Sequence, residues 1–344
     1  MTTTTRQVRS EPTIAIIGCG AITESFYLPA LAVSPALAKL ILVDTDTDRA
    51  KRMATQFGAR TAIRDYREVV SAVDGVIIAV PHHLHYSISK DFLLQGVHIL
   101  CEKPIAESAV AAGDMIHLAA THNTTITVNH TRRLMPSSLK VKELLSAGAI
   151  GRVKSITYLD GGEFNWPTAS GFYFDSKISR KGILLDIGSH ALDLICWWID
   201  GKPRLVSTFN DSFGGIEAVA SVELEYQGCT CHMRLSRLSK LPNRYRIEGE
   251  QGVIEGGVYD GRTVSLTSPG GTKKTFRSSG GEDEFSHISR RLVNNFLSVI
   301  RGDELPLIPA SDVIAAAELI DEAYTNSKQL PMAWYGPREV KYVA

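Results

Sequence analysis

Short apolar runs and helical stretches alternate through the first 130 residues of the chain. The runs are continuously apolar, which is typical of strands that are buried on both faces of a sheet. The predicted strands are Thr13–Gly18, Lys39–Asp44, Ala59–Ile63, Gly75–Val80, His98–Glu102 and Ile126–Asn129. The predicted helices are Ala21–Val33, Asp48–Phe57, Tyr66–Ser71, Leu84–Gln95 and Ser108–His122. Alternation at this spacing predicts βαβ units and a parallel sheet.

The pattern changes near Thr131, where longer extended segments begin to follow one another without helices between them. Consecutive strands of this kind indicate an antiparallel sheet. The extended segments are Val153–Gly162, Arg204–Asp211, Ala218–Tyr226, Thr230–Ser236, Arg244–Glu248 and Gly252–Glu255. Helices are predicted at Ser137–Ala147, Gly188–Ile199, Phe285–Arg301 and Ser311–Ser327, and the Gly/Ser/Thr/Lys-rich stretch Thr267–Gly281 is predicted to be a loop or a hairpin with a mobile tip.

These patterns predict an α/β domain over residues 11–130 and an α+β domain with a large, mostly antiparallel open sheet over residues 131–344. A length of 344 residues agrees with two domains of roughly 100–200 residues each. The chain is 44% hydrophobic and 22% charged, which excludes disorder as its main state.

Charge and targeting signals narrow the class of protein further. Lys+Arg and Asp+Glu number 37 each, so the formal net charge is zero, whereas dedicated nucleic-acid or membrane-surface binders are usually basic. The start, MTTTTRQVRS, lacks the apolar run of a signal peptide, and no segment approaches the ~18 apolar residues of a membrane span. We expect a soluble cytoplasmic protein that binds neither nucleic acid nor membrane.

The 5 cysteines are scattered and odd in number, which indicates a reducing compartment rather than a disulfide framework. Only Cys229 and Cys231 lie close together, on the same face of a predicted strand. No further Cys or His stands at the spacing of a zinc site, so we expect no metal there.

A glycine-rich turn ends the first predicted strand. One glycine permits the tight turn, the next lets a pyrophosphate approach the backbone, and the following helix offers free N–H groups. Because the turn lies between a strand and a helix, it is a candidate dinucleotide site. The candidate contacts are Gly18, Cys19, Gly20, Ala21 and Ile22, and Thr23 occupies the third glycine position of such motifs.

Asp44 ends the second predicted strand, where a carboxylate can accept hydrogen bonds from both ribose hydroxyls of a dinucleotide. The same charge repels a 2′-phosphate, so we expect NAD rather than NADP. Arg49 and Lys51 follow closely, and a cation there can instead pair with a 2′-phosphate, which keeps NADP as the alternative.

Polar residues follow the next three predicted strands. The carboxyl ends of parallel strands line the ligand crevice of an open sheet, so these residues are candidate cofactor contacts. They are Val80, Pro81, His82, His85, Glu102, Lys103 and Asn129. For the histidines, helix capping is the alternative, and the adjacent His82 and His83 do not have the spacing of metal ligands.

The segment Cys101-Glu102-Lys103-Pro104 resembles the Gfo/Idh/MocA family of nicotinamide-dependent sugar and cyclitol oxidoreductases. The resemblance extends over Gly18-Cys19-Gly20, Pro81 to His85, Gly96 to Ile105 and Lys181 to Asp193. It implies a Rossmann domain followed by a domain built on a large, mostly antiparallel sheet, with nicotinamide and substrate in the cleft between them. By position, Lys103, Asp186 and His190 look like the family's catalytic Lys, Asp and His. Lys181 replaces a family glycine, and we expect it to alter the pocket entrance.

The same residues make chemical sense without the resemblance. Asp186, His190 and Asp193 are spaced i, i+4, i+7 and so share one helix face. An imidazole beside a carboxylate can take a hydroxyl proton, and the Lys103 ammonium can stabilise the alkoxide that develops. The alternative for His190 is a capping role on a core helix.

Candidate substrate contacts surround this motif. Phe164 and Trp166 can stack on the C–H face of a sugar, or they can pack into an aromatic cluster of their own loop. Arg132 and Arg133, and the cluster Arg237, Lys240 and Arg244, can bind an anionic group or remain solvated surface charge. With Lys103, Asp186 and His190, the substrate candidates are Arg132, Phe164 and Trp166.

We therefore predict an NAD-dependent oxidoreductase acting on a secondary alcohol or ketone of a sugar, cyclitol or nucleotide-sugar derivative. An NADPH-dependent ketoreductase and a catalytically silent dinucleotide sensor are the alternatives. The predicted sheet must cover its outer face. Apolar residues on its strands, Val219, Val222, Leu224, Met233 and Leu235, suggest a homodimer or homotetramer joined sheet to sheet.

Overall fold

Six short parallel strands form the first sheet of the computed structural model, which describes residues 11–168, 170–179, 181–212, 215–278 and 284–331. The strands are β1 (Ile14–Ile17), β2 (Ile41–Val43), β3 (Thr61–Ile63), β4 (Gly75–Ile78), β5 (His98–Cys101) and β6 (Ile126–Val128). They lie in the order β3-β2-β1-β4-β5-β6, and every pairing is parallel. This is the order of a Rossmann sheet, so the predicted α/β fold is confirmed.

The helices of this half are α1 (Leu28–Leu31), α2 (Thr47–Phe57), α3 (His85–Leu93) and α4 (Ala109–Thr121). Two helix predictions were wrong in detail. The segment Ala21–Val33 is not one α-helix, because a π-helical stretch, Thr23–Tyr27, precedes α1. The predicted helix Tyr66–Ser71 is only a 3₁₀ turn over Tyr66–Glu68, after which two adjacent β-branched valines disfavour helix.

Nine strands form the second sheet. They are β7 (Val153–Gly161), β8 (Arg204–Asn210), β9 (Val219–Tyr226), β10 (Cys229–Ser236), β11 (Arg244–Gly249), β12 (Gly252–Gly257), β13 (Thr263–Thr267), β14 (Lys273–Arg277) and β15 (Lys328–Gln329). Their order is β14-β13-β12-β11-β7-β10-β9-β8-β15. Pairing is parallel at β7–β10 and β8–β15 and antiparallel elsewhere, so the mostly antiparallel sheet is confirmed.

β14 lies within the Gly/Ser-rich stretch Thr267–Gly281 and pairs as a hairpin with β13, a strand that was not predicted and that ends where the stretch begins. A hairpin was one of the two predicted forms. Residues 279–281 of that stretch lie outside the described part of the chain. The helices of this half are α5 (Thr131–Leu134), α6 (Pro136–Ser146), α7 (Ile183–Trp198), α8 (Glu284–Arg301) and α9 (Ala310–Thr325). Sequence reasoning missed the short α5 and β15 and placed α6, α8 and α9 to within two residues at either end.

Helix α7 begins at Ile183, five residues before the predicted start at Gly188. The Glu217 carboxylate accepts the amides of Gly182 (2.9 Å) and Leu184 (3.0 Å), which are among the unpaired N–H groups of the first turn. This cap comes from a residue distant in sequence, so no local signal announced it. The earlier start places Asp186 in the first turn of the helix.

Helix α8 completes the core of the first sheet, although it lies within the stretch assigned to the second domain. Its residues Leu292, Phe296 and Ile300 are buried in the cluster formed by the Rossmann strands. A side chain at Gly75 would overlap Ile300, so the glycine of β4 permits this close approach. Helix α9 packs against both α4 and α7 and thereby connects the two halves. The boundary at residue 130 stays a prediction.

Candidate active site

A cleft of about 1400 Å³ lies between the two sheets. The carboxyl ends of β1, β2, β4 and β5 border it on one side, and α7, β7 and β10 border it on the other. The cleft brings together almost all of the predicted site residues. They are Gly18, Gly20, Ala21, Ile22, Asp44, Arg49, Val80, Pro81, His82, His85, Glu102, Lys103, Asn129, Arg132, Phe164, Trp166, Asp186 and His190.

Cys19 is the exception, and its prediction as a cofactor contact is corrected. Its side chain is fully buried, with Sγ directed to the carbonyl oxygen of Val43, and it does not line the cleft.

The glycine turn leaves room for a ligand. Gly18 adopts φ +98°, and a Cβ there would overlap the carbonyl oxygen of Ala79 at the end of β4. At Gly20 a Cβ would meet no atom within 4 Å, so the backbone faces open space. Thr23 compensates for the missing third glycine, because its hydroxyl donates a 2.6 Å hydrogen bond to the carbonyl of Gly18.

Asp44 holds this turn together from the end of β2. Its Oδ2 accepts the amide of Cys19 at 2.7 Å, and its Oδ1 accepts the amide of Asp46 at 2.8 Å. Arg49 Nη2 also donates to Oδ1 at 3.0 Å. Asp44, which was predicted to favour NAD, and Arg49, which would favour NADP, therefore form one ion pair. The Nε atom of Arg49 is buried and has no hydrogen-bond partner among the described residues.

The histidines after β4 differ in their surroundings. Both ring nitrogens of His85 lie against carbonyl oxygens, Nδ1 at 2.7 Å from Pro104 and Nε2 at 2.9 Å from Val80. Burial lowers the pKa of His85 to about 4. His85 therefore links the segment after β4 to the segment after β5. It does not present a free polar group to a cofactor, as the sequence had predicted. The Nε2 atom of His82 lies 3.3 Å from the hydroxyl oxygen of Ser179.

A buried polar cluster lies after β5 and β6. Glu102 Oε1 accepts hydrogen bonds from Tyr27 (2.7 Å) and from the Asn129 amide (2.6 Å). Burial raises the pKa of Glu102. The carbonyl oxygen of the Asn129 side chain is buried and has no partner in the described part of the chain.

These features fit a nicotinamide dinucleotide. The open backbone at Gly20 admits a pyrophosphate, Asp44 lies where a ribose hydroxyl donates, and the unpartnered oxygen of Asn129 accepts one more donor. The predicted cofactor contacts apart from Cys19 thus border one continuous cleft.

Lys103 and Asp186 form an ion pair across the cleft. Lys103 Nζ lies 2.5 Å from Asp186 Oδ1 and 3.2 Å from the main-chain oxygen of the same residue. Lys103 follows β5 and Asp186 lies in the first turn of α7, so the pair joins the two halves of the molecule. Burial alone would raise the pKa of Asp186, but Lys103 and Arg237 outweigh it and hold that pKa below its usual value.

Arg237 is the second cation on this carboxylate, whereas the sequence predicted that its basic cluster binds an anionic group or remains solvated. It directly follows β10, and its Nη2 donates to Asp186 Oδ2. Its guanidinium also lies over the rings of Phe164 (4.9 Å to the centroid) and Tyr173 (5.5 Å). The only sequence signal was its position after a strand in a loosely spaced basic cluster.

His190 lies one turn after Asp186 on α7 but is not bonded to it. No hydrogen bond from a described residue reaches its ring, and Nδ1 is buried without a partner. The prediction that Asp186 orients this imidazole is therefore not what the geometry shows. Burial, followed by the charges of Lys103 and Arg132, lowers the pKa of His190 well below its usual value.

A second histidine contacts His190, and sequence reasoning missed it. The rings of His130 and His190 meet edge to face, with centroids 5.7 Å apart. His130 follows β6 and is buried, and its Nδ1 lies 3.5 Å from Asp193. Asp193 does not line the cleft, and Arg133 binds its carboxylate with two hydrogen bonds of 2.6 and 2.7 Å.

The arginines at the start of α5 are buried rather than solvated. Arg132 Nη1 donates to Asp160 (2.8 Å) and Tyr158 (2.5 Å), and Asp160 also accepts the hydroxyl of Tyr259 at 2.7 Å. Arg132 and Asp160 line the cleft, so this wall presents a neutralised pair. Arg133 is committed to Asp193 and does not line the cleft.

The aromatic residues of the substrate candidates lie in residues 162–179, which we call the aromatic loop and of which residue 169 is not described. The rings of Phe164 and Phe174 pack edge to face, with centroids 4.8 Å apart. This contact agrees with one of the two predicted alternatives, an aromatic cluster within the loop. Trp166 lines the cleft and is 40% exposed.

Lys181 does not shape the pocket entrance as expected. Its ammonium donates to the carbonyl of Glu107 (2.5 Å) and to Asp321 (3.0 Å), so it joins α9 to the segment before α4. In the described ranges, no group of His, Cys, Asp and Glu is placed to hold a metal ion. None of the described helices has the length and apolar character to cross a membrane.

The fold and the cleft together define a nicotinamide-dependent oxidoreductase. The profile described as "Oxidoreductase family, NAD-binding Rossmann fold" matches residues 13–130, and that described as "GFO/IDH/MocA C-terminal domain" matches residues 138–255. The chain belongs to the Gfo/Idh/MocA family, as the sequence resemblance indicated. It is a dehydrogenase or reductase of CH–OH groups with the general role of a sugar oxidoreductase, and its cofactor is NAD, with NADP as the alternative.

Named relatives extend over almost the whole chain. A trans-1,2-dihydrobenzene-1,2-diol dehydrogenase of Xenopus laevis is 25% identical, over 90% of this chain and 96% of the relative. A D-xylose 1-dehydrogenase (NADP⁺) of Haloferax volcanii is 24% identical, over 91% of this chain and 96% of the relative.

Solved structures share the fold. A 3-ketoreductase from Actinomadura kijaniata in complex with NADP and TDP-benzene has a TM-score of 0.79 at 20% identity, covering 92% of this chain and 98% of that one. A levoglucosan dehydrogenase in complex with NADH and levoglucosan has a TM-score of 0.80 at 19% identity, covering 91% and 96%.

Proposed function

We propose that this protein is an NAD-dependent dehydrogenase that oxidises a secondary alcohol of a sugar, cyclitol or sugar derivative, with Lys103, Asp186 and His190 as its catalytic residues. The observation that carries the proposal is the pairing of Lys103 with Asp186 at 2.5 Å beside an imidazole that no described residue hydrogen-bonds. All three side chains line the cleft that the glycine turn borders.

Lys103 supports the substrate oxygen electrostatically. An ammonium has three N–H donors, and two of them are directed to Oδ1 and the main-chain oxygen of Asp186. The remaining donor has no partner among the described residues and is available to an alcohol oxygen in the cleft. A positive group held in place there stabilises the negative charge that develops as the hydroxyl proton leaves.

His190 accepts that proton. Its pKa lies well below the ordinary value of 6.5, so the imidazole is neutral and ready to accept at physiological pH. The nicotinamide supplies the redox chemistry when bound, by exchanging hydride with the carbinol carbon. The protein's part is to orient the alcohol, exclude water and hold the proton.

A second candidate function is NADPH-dependent reduction of a ketone. Arg49 favours it, because its guanidinium lies beside Asp44 and its Nε has no partner among the described residues. In that direction His190 must first be protonated, which its lowered pKa favours only at acid pH, and it then gives the proton to the alkoxide. We also propose a homodimer or homotetramer joined through the outer face of the second sheet.

The test is turnover of a panel of sugars and cyclitols with NAD, followed by the absorbance of reduced nicotinamide. His190→Ala should lower kcat by roughly 10²–10⁴, the usual cost of a lost general base. Lys103→Met should be comparably damaging, because it removes the charge directed at the alkoxide. NADH affinity, measured by fluorescence titration, should change little in either variant. The exposed His117→Ala serves as the matched control.

The pH dependence tests the same assignment. As pH falls through the pKa of His190 the imidazole gains a proton and cannot accept another, so the oxidation rate falls. Because that pKa is lowered, this decline lies below pH 6.5, and it should vanish in the residual activity of His190→Ala. A His190→Ala enzyme with wild-type kcat and an unchanged pH profile contradicts the base role. A wild-type enzyme that binds NADH but turns over no polyol or ketone supports the silent sensor.

A further inference from the structure

Arg237 contacts the proposed catalytic machinery and the aromatic loop at the same time. On one side, its Nη2 donates to Asp186 Oδ2, while Lys103 holds the other carboxylate oxygen. On the other side, its guanidinium lies over Phe164 at 4.9 Å and Tyr173 at 5.5 Å. Since a guanidinium is planar, it can form a charged hydrogen bond in its plane and stack aromatic rings on its face.

The side chain has little surface left for a substrate. It is only 9% exposed, and its directed contacts go to protein groups. The basic cluster in which sequence analysis placed Arg237 was expected to bind an anion of the substrate or to remain solvated. The burial and the contacts favour an internal carboxylate instead, because desolvating a guanidinium requires a fixed partner of opposite charge.

We propose that Arg237 is a positioning residue that holds the Asp186 carboxylate against Lys103 and fastens the aromatic loop over it. The proposal rests on the proposed function for its link to turnover. With Oδ2 bound by Arg237, the carboxylate is kept in one orientation, and this orientation leaves one donor of Lys103 free for the substrate oxygen. Because the same guanidinium binds the Asp186 carboxylate and stacks on the loop, the order of the aromatic loop depends on whether Asp186 is ionised.

Three groups interact electrostatically with Asp186, namely Lys103 after β5, Arg237 after β10 and Tyr173 in the aromatic loop. His190 lies on the next turn of α7 and makes no hydrogen bond to Asp186. Loss of Arg237 removes one of the two cations. Asp186 is then protonated at a higher pH, and the neutral carboxyl no longer holds the Lys103 ammonium in its position in the cleft.

Two variants separate the parts of this role. Arg237→Gln removes both the charge and the stacking, and we expect kcat to fall about 10-fold. Protonation of Asp186 gives a second acid limb, separate from that of His190, and in this variant the Asp186 limb should move up by about one to three pH units, the range over which an adjacent Arg lowers an Asp pKa. Arg237→Lys keeps a charge without a flat face, so it should restore the Asp186 limb but not the order of the loop. Arg234→Gln is the control, because Arg234 is exposed on the same strand.

Hydrogen exchange of residues 162–179 provides a readout without substrate. Amides of the aromatic loop should exchange faster in Arg237→Gln and Arg237→Lys than in the wild type and in Arg234→Gln, while α7 keeps its protection. Wild-type exchange in the loop of Arg237→Gln, or an Asp186 acid limb that does not move in that variant, overturns the proposal. Absent turnover by the wild type refutes the proposed function instead, and the exchange result still decides whether Arg237 fastens the loop.

Discussion

The carboxylate of Asp44 accepts two backbone amides and the guanidinium of Arg49, so one residue shapes the glycine turn and restrains the nearest cation. Paired in this way, the two charges largely cancel towards a 2′-phosphate, so neither the repulsion by Asp44 nor the attraction by Arg49 acts at full strength. The choice between NAD and NADP therefore depends on the pair rather than on either residue alone.

Replacing Asp44 by Ser should shift cofactor preference towards NADP. Lost ribose hydrogen bonds weaken NAD by about 1–3 kcal/mol, whereas the freed Arg49 can meet a 2′-phosphate. The measurement is the ratio of kcat/KM for NADP to that for NAD. The control is Asp48→Ser, because Asp48 is exposed on α2. A wild-type enzyme that already prefers NADP by a wide margin would mean that Arg49, not Asp44, governs this pocket.

At the scale of elements, the first turn of α7 brings the predicted chemistry into the cleft. Glu217, in the segment before β9, accepts the amides of Gly182 and Leu184, and Tyr324 of α9 donates to the same carboxylate at 2.6 Å. An anion at a helix N-terminus is also favoured by the helix dipole. The orientation of Asp186 thus depends on a residue outside the helix.

Glu217→Gln should therefore reduce both stability and activity. The amide can accept fewer of these donors and carries no charge, so we expect a loss of about 1–3 kcal/mol in the free energy of unfolding. Urea denaturation measures the loss, and kcat should fall with it because the first turn loosens. Glu68→Gln, at an exposed position, should be neutral in both assays. Equal stability of the two variants would show that the cap is dispensable.

At the scale of the whole molecule, four of the five apolar residues first taken as an interface lie inside the chain, and the fifth, Val219, is half-buried. Val222, Leu224, Met233 and Leu235 are at most 1% exposed and pack in the core with α7. The opposite face of β10 carries exposed polar side chains, and Val206 in β8 is 51% exposed. The proposed sheet-to-sheet interface would therefore be formed mainly by polar side chains.

Light scattering at micromolar concentration should give the mass of a dimer or a tetramer. Val206→Asp places a charge on the open face of the sheet and should lower the mass. The matched change Leu305→Asp alters a residue that is 85% exposed elsewhere and should leave it unchanged. A monomeric wild-type mass would refute the proposed assembly.

The local pattern along the chain was enough for the fold. Continuous apolar runs separated by helical stretches predict the Rossmann sheet, and a run of extended segments predicts the second sheet, because strand periodicity and burial are properties of neighbouring residues. The same locality explains why Gly18, Gly20 and Asp44 were found, since each lies at the end of a strand.

Tertiary structure alone decided which partners these residues have. The sequence predicted that Asp186 and His190 share one helix face. It did not predict that Arg237 binds Asp186, because a contact between residues separated by 51 positions leaves no periodic signal. The start of α7 likewise depends on Glu217, and α8 returns to the first core over Gly75. The sequence determined the elements and the candidate chemistry, whereas packing determined which charges meet, because ion pairs form between side chains that folding brings together.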